Sequence, residues 1–199
     1  MNECKNQFNF VANQINANMY KSLLIILLFL TACCKDGTET SKYYLMDFEM
    51  GFIPYAEADD VAFRHSGGYE FNLNTTKRSI EFRRTPTEHC GEDYSTYETL
   101  VAELQSNSPE LYIHLELLPL HFFPVMSIEI NNYYFDIDLS LEPDYDSLTV
   151  DGQAYHNVYH AESTTADSTI IRPQELYYNK ESGIIQILMT NHESYTINP

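Results

Sequence analysis

Seven histidines and 29 carboxylates are spread along this 199-residue chain, so spacing rather than abundance must single out a reactive site. His156 and His160 stand four apart, a spacing that on a helix places two imidazoles beside one metal ion. On a strand the same residues share a face but lie about 13 Å apart. Tyr155, Val158 and Tyr159 favour the strand, so no metal is expected there. Asp144, Asp146 and Asp151 offer oxygen ligands without the Asp-x-Asp-x-Asp-Gly order of a calcium loop, and they read as a solvated turn. His89 next to Cys90 suggests a thiol with a neighbouring base, although a cysteine in a loop or core is the commoner reading.

The basic residues are more concentrated. Lys77, Arg78, Arg83 and Arg84 fall within eight positions. In a chain this acidic they mark a place where an anion or an acidic partner would dock, the alternative being strand flanks paired with neighbouring carboxylates. Sixteen tyrosines without a single tryptophan suit strand packing better than sugar stacking. Gly-x-Ser-x-Gly, phosphate-loop and His-Glu-x-x-His patterns are missing from the sequence. With so many carboxylates, no single pair stands out as an acid–base couple. No catalytic residue, metal or cofactor is therefore assigned. A hydrolase would need His89, His114 or His156 brought to a carboxylate in a cleft.

The elements that must position these groups read as β-strands. Met126, Ile128 and Ile130 alternate with Ser127 and Glu129; Phe135, Ile137 and Leu139 alternate with Tyr134, Asp136 and Asp138. Asn131-Asn132 between them tolerates the positive φ of a two-residue hairpin turn. Pairing Ile130 with Tyr133 then sets Ile128 opposite Phe135 and Met126 opposite Ile137, with every apolar residue on one face. Leu111, Ile113, Leu115 and Leu117 repeat the alternation. Phe63, Tyr69 to Leu73, and Ile80 with Phe82 predict shorter strands, punctuated by Ser66-Gly67-Gly68 and Asn74-Thr75. Tyr94 to Leu104 is ambiguous between helix and strand. Pro119 and Pro124 bracket a loop carrying His121, Phe122 and Phe123. Ile184, Ile185, Ile187, Leu188 and Met189 predict a strand buried on both faces. The expected fold is all-β: an antiparallel curved sheet, half-barrel or sandwich-like, following an N-terminal signal segment.

That segment has its own chemistry. Lys21 supplies a charge, Ser22 to Leu30 an apolar stretch, and Thr31 and Ala32 small residues before Cys33, the parts of a secretory signal. The apolar stretch falls short of the roughly 20 residues that cross a bilayer core. Leu30-Thr31-Ala32-Cys33 resembles the lipobox of bacterial lipoproteins, in which a signal peptidase cuts before a cysteine that becomes lipid-modified. The resemblance implies Cys33 as acceptor rather than Cys34, which would put Thr31 where Leu is wanted. It also implies residues 19–32 as signal peptide and 33–42 as lipidated cysteine and tether, with 43–199 a single β-rich domain. Residues 1–18, polar and Asn-rich, read as a misassigned upstream extension, with Met19 the better start. Cys34 after the acceptor implies the outer membrane, and Lys35-Asp36 is similar to export signals of Bacteroidetes surface lipoproteins. Asp151 to Val158 and Leu176 to Ile185 are similar to strand segments of small Bacteroidetes envelope lipoproteins, over about the last fifty residues, and imply an antiparallel, half-barrel-like sheet.

Cleavage before Cys33 would remove two basic residues and one acidic residue and leave a formal charge of −19. Such a surface repels nucleic-acid phosphates, which excludes that partner. The expected partners are a membrane, through the lipid anchor, and an unknown protein or apolar ligand. The sequence favours a non-enzymatic binding or structural module of the cell envelope. Alternatives are a carrier of lipid or another apolar ligand, with Ile128, Phe135, Ile185 and Ile187 lining a cavity in the curved sheet, and an envelope hydrolase.

Overall fold

A computed structural model of the chain describes residues 37–86, 93–164 and 170–198. Cys33, Cys34, His89 and Cys90 lie outside the described residues. The strands are β1 (Thr38–Tyr43), β2 (Asp60–His65), β3 (Glu70–Pro86), β4 (Asp93–Asn107), β5 (Glu110–Leu117) and β6 (Val125–Ile130). They continue as β7 (Tyr133–Asp138), β8 (Tyr145–Val150), β9 (Gln153–Glu162), β10 (Pro173–Asn179), β11 (Gly183–Met189) and β12 (Ser194–Ile197), with one short helix among the described residues, α1 (Asp47–Met50). All twelve strands form one open antiparallel sheet in the order β7-β6-β5-β4-β3-β2-β12-β11-β10-β9-β8, with β1 paired to β4 off that path. The all-β, antiparallel expectation holds, and the sheet is not closed into a barrel.

The described residues divide into two compact units, a larger one drawn from 42–83, 96–164 and 170–198 and a smaller one from 37–41, 84–86 and 93–95. In the smaller unit Thr40 Oγ1 donates to Tyr94 O at 3.1 Å, and the Arg84 guanidinium lies 4.8 Å from the centre of the Tyr94 ring. The stretch expected to be tether thus contributes residues 38–42 to β1. Its polar, mostly exposed residues lack the alternation by which a half-buried strand is recognised.

In the larger unit the β6–β7 hairpin has the predicted register, Ile130 opposite Tyr133, Ile128 opposite Phe135 and Met126 opposite Ile137. Asn131 and Asn132 both take positive φ, 50° and 70°, as a turn matched to strand twist requires. The segment from Tyr94 to Leu104 is strand throughout. Eight consecutive pairs with β5, Leu100–Leu117 through Asn107–Glu110, settle what its mixed composition left open. Asn74-Thr75 does not break β3; Thr75 donates its N–H to Asp59 O instead, and the strand runs on. Strand β11 lies between β12 and β10 and is buried on both faces, as its composition predicts. The extra residue between the Tyr177–Gln186 and Tyr178–Ile184 pairs is a bulge. It turns Ile185 into a small second cluster with Val150, Tyr155 and Val158, while Ile184 and Ile187 stay in the main core. On the far side of the sheet, Thr164 N donates to Tyr134 O at 3.2 Å, so the open sheet curls until the end of β9 meets the edge strand β7.

What fills this curl is the strap between β1 and β2. Leu45, Ile53 and Tyr55 enter the same core as Leu73, Leu104, Ile113 and Ile128. Polar groups hold the strap at four points. Arg78 on β3 donates to the carbonyls of Ile53 (2.6 Å), Tyr55 (2.7 Å) and Met50 (3.2 Å). Glu49, 1% exposed, accepts the N–H groups of Met46 (2.6 Å) and Leu120 (2.8 Å), joining α1 to the 118–124 loop. Tyr55 Oη accepts the N–H of Ile184 at 2.6 Å, and the Tyr178 hydroxyl donates to Phe52 O. Gly183 has φ 75°, and a Cβ there would overlap the Tyr55 ring, so glycine is required both by its conformation and by the approach of the strap.

Candidate functional site

Strand alternation decides where the expected basic cluster goes. Lys77 and Arg78 are adjacent and therefore point to opposite faces. Arg78 turns in and is spent on strap carbonyls. Lys77 turns out, its Nζ 2.5 Å from Glu81 and 3.6 Å from Glu103. Arg83 pairs with Glu116 at 2.5 Å, and Arg84 stacks on Tyr94 in the smaller unit. Between the two outer cations His114 sits 3.7 Å from Glu103 and 3.8 Å from Glu116. Lys77, Arg83, His114 and their three glutamates thus form a charged ladder across the outer face of β3, β4 and β5. The four residues do not converge on one anion.

The ladder also tunes its members. The hydrogen bond from Lys77 holds the Glu81 carboxyl below its ordinary range, helped by the cation's charge and by Ser79. The same bond, with the charge of Glu103, pushes Lys77 up. Tyr112, next on this face, is pushed up first by burial and then by the charges of Glu103 and Glu129.

A second polar group was not singled out by spacing. His160 Nε2 lies 3.2 Å from Glu175 Oε2, and the same oxygen accepts the Tyr177 hydroxyl at 3.1 Å. The imidazole packs on the Tyr177 ring, centroids 4.9 Å apart. Burial, reinforced by the bond to Glu175 and that residue's charge, pushes Tyr177 up to about 12. The pair forms because β9 and β10 set His160 directly opposite Tyr177 and Glu162 opposite Glu175. No local pattern announces it, since the partners are 15 residues apart. His156 stays exposed, in the part of β9 that pairs with β8. Asp144 accepts the backbone N–H of His160 at 2.8 Å, while Asp151 and Gly152 make the β8–β9 turn with φ 49° and 82°. No group of three or more metal-ligating side chains comes together among the described residues.

The apolar candidates are packed. Ile128, Phe135 and Ile187 in the main core and Ile185 in the second cluster are each fully buried. Three cavities of about 400, 280 and 470 Å³ are lined by other residues. The first lies where the β4–β5 and β6–β7 turns meet and presents Gln105, Glu110, Tyr112, Glu129 and Asn132. Its shape is held by Asn131, whose side chain accepts from Tyr112 N at 2.8 Å and donates to Glu110 O at 3.2 Å. No family model, curated protein or solved structure matches the chain. Its function must be argued from its own residues.

At the opposite end of the same strands the surface changes character. Tyr43 packs against Phe122 with centroids 3.8 Å apart and against Tyr97 at 4.9 Å, and Tyr97 meets Phe123 at 5.3 Å. In the segment that follows Tyr43, Tyr44, Met46 and Phe48 stand exposed. The proline-bracketed loop was legible in the sequence; its assembly with residues 43–48 was not, because Glu49 and Leu120 join across 71 positions.

Proposed function

We propose that this chain is a lipid-anchored lipoprotein of the bacterial cell envelope, held at the outer membrane through Cys33, whose β-rich part is a non-enzymatic binding or structural module. The observation that carries the reading is Leu30-Thr31-Ala32-Cys33 directly behind the apolar run. An acylated cysteine with two or three chains is a stable anchor where a single chain is marginal. The packing favours a module over a carrier: the strap fills the curled sheet with Ile53 and Tyr55, leaving the four apolar candidates against other side chains. Favouring a module over a hydrolase, the His160–Glu175 pair is half-buried, its carboxylate is shared with Tyr177, and neither residue lines any of the three cavities described above. A general base working on a bound substrate needs a cleft around it.

Intact mass of the protein purified from bacterial membranes tests the anchor. Loss of residues 1–32 together with the added mass of a diacylglyceryl group and a further acyl chain is the expected result. An uncleaved chain, or an unmodified Cys33, ends the proposal.

A further inference from the structure

Two segments that the fold joins, 43–48 and 120–123, carry large exposed apolar residues. Tyr44, Met46, Phe48, Phe122 and Phe123 are each between 41% and 55% exposed, although they come from segments more than 70 positions apart. Two features bring them together: the Glu49 carboxylate, which binds the N–H groups of Met46 and Leu120, and the Tyr43 ring, which packs on Phe122. None of the five carries a charge in a chain whose surface is strongly acidic. Scattered apolar residues need no explanation, but a joined set of large ones marks a contact.

We propose that this surface rests in the interfacial layer of the membrane to which Cys33 is attached, so that the domain stands on the bilayer in one orientation. The proposal rests on the lipid-anchor reading. Tyr44 lies eleven positions after Cys33, so the anchor cannot stand more than about 40 Å from the first residue of the surface. Phenylalanine, tyrosine and methionine suit a layer that is apolar on one side and wet on the other. Charge selects the lipid: Asp47 beside Phe48 and the acidic chain as a whole disfavour anionic head groups, leaving zwitterionic ones. The orientation has a consequence. Strand β6 runs about 17 Å from Val125 to Ile130, so the polar cavity at the β6–β7 turn points away from the bilayer, towards whatever the module meets.

The chain has no tryptophan, so one substitution gives a single indole reporter. The full-length Phe122→Trp, Phe48→Trp and Tyr134→Trp proteins, processed in a bacterial host and reconstituted in phosphatidylethanolamine–phosphatidylcholine vesicles, are compared with and without lipids carrying a nitroxide near the head group. Tyr134 is exposed and sits near the far end of the β6–β7 hairpin. With Cys33 acylated by intact mass, the expected result is blue-shifted, nitroxide-quenched emission for Phe122→Trp and Phe48→Trp and solvent-like emission for Tyr134→Trp. Acylated protein with no quenching at positions 48 and 122 overturns the contact and leaves the anchor standing. Unmodified Cys33 overturns both. A blue shift that grows with protein concentration and ignores the nitroxide assigns the surface to a second copy of the chain and also overturns the membrane contact.

Discussion

Lys77 and Arg78 are neighbours in sequence with opposite fates. Arg78 crosses to the strap and bonds three backbone carbonyls; Lys77 stands in the outer ladder between two glutamates. Both are cations with satisfied partners, yet the two environments assign them different weights. A buried or half-buried acceptor that loses its donor is left without water to replace it, whereas an exposed ion pair is already screened and costs entropy to hold. The inward charges therefore fix the fold, and the outward ones condition its surface.

Removing the inward donor gives the largest expected change. Arg78→Met strands the carbonyls of Met50, Ile53 and Tyr55 and lowers unfolding stability by about 3 kcal/mol, read from the denaturant midpoint. Gly183→Ala attacks the same strap from β11: the new methyl overlaps Tyr55 at a φ that L-residues resist, for a loss of roughly 2 kcal/mol. A neutral outcome for either would mean that the strap is a passive cover.

Alkaline titration compares the two sides without mutation. Tyr55 and Tyr178 are buried in the core and pushed up by that burial, and Tyr177 is pushed up to about 12 on the opposite face. For a group whose folded pKa is raised, the stabilisation is complete below the unfolded value near 10 and disappears as pH rises through the folded one. Phenolate absorbance should rise in two stages: a gradual first stage from exposed tyrosines, then a cooperative second stage as the chain unfolds above about pH 10. A single gradual rise with circular dichroism unchanged would contradict the packing of Tyr55 and Tyr178.

Breaking the outer ladder should matter far less. Arg83→Ala removes an ion pair whose arginine is 47% exposed, and its effect on stability should stay within about 1 kcal/mol and shrink with added salt. Lys77→Ala should leave the unfolding midpoint where it is. A strong, salt-independent loss at Arg83 would erase the distinction between the two faces.

The same distinction separates what could be read in the sequence from what could not. The β6–β7 register was legible because turn and alternation demand the same pairing; a shift of one residue would have put Ile128 and Phe135 in water. β5 was legible for the same reason. The strap was not, because 44–59 has neither period, and it is held by Arg78, Glu49, Tyr55 and Tyr178 through bonds that reach partners 23 to 129 residues away. The basic cluster is split for a related reason: proximity in sequence on a strand sends neighbours to opposite faces. His160 meets Glu175 through a cross-strand register that no spacing within either strand encodes.

Thr99 offers the finest test of the rule that buried polar groups are held by partners. It lies on β4, wholly buried, and its hydroxyl has no hydrogen-bond partner among the described residues. Neighbouring Leu100 and Ala102 belong to the main core; Thr99 points to the other face with Val101, which is also buried. Valine keeps the β-branched shape and removes the oxygen. If burying the unpaired hydroxyl costs what such groups usually do, Thr99→Val should be neutral or stabilise by up to about 1 kcal/mol, raising the denaturant midpoint at unchanged slope. Destabilisation would mean that the hydroxyl is bonded after all, to an ordered water in the sheet. Thr99 would then join Arg78 and Glu49 as a polar group on which packing depends.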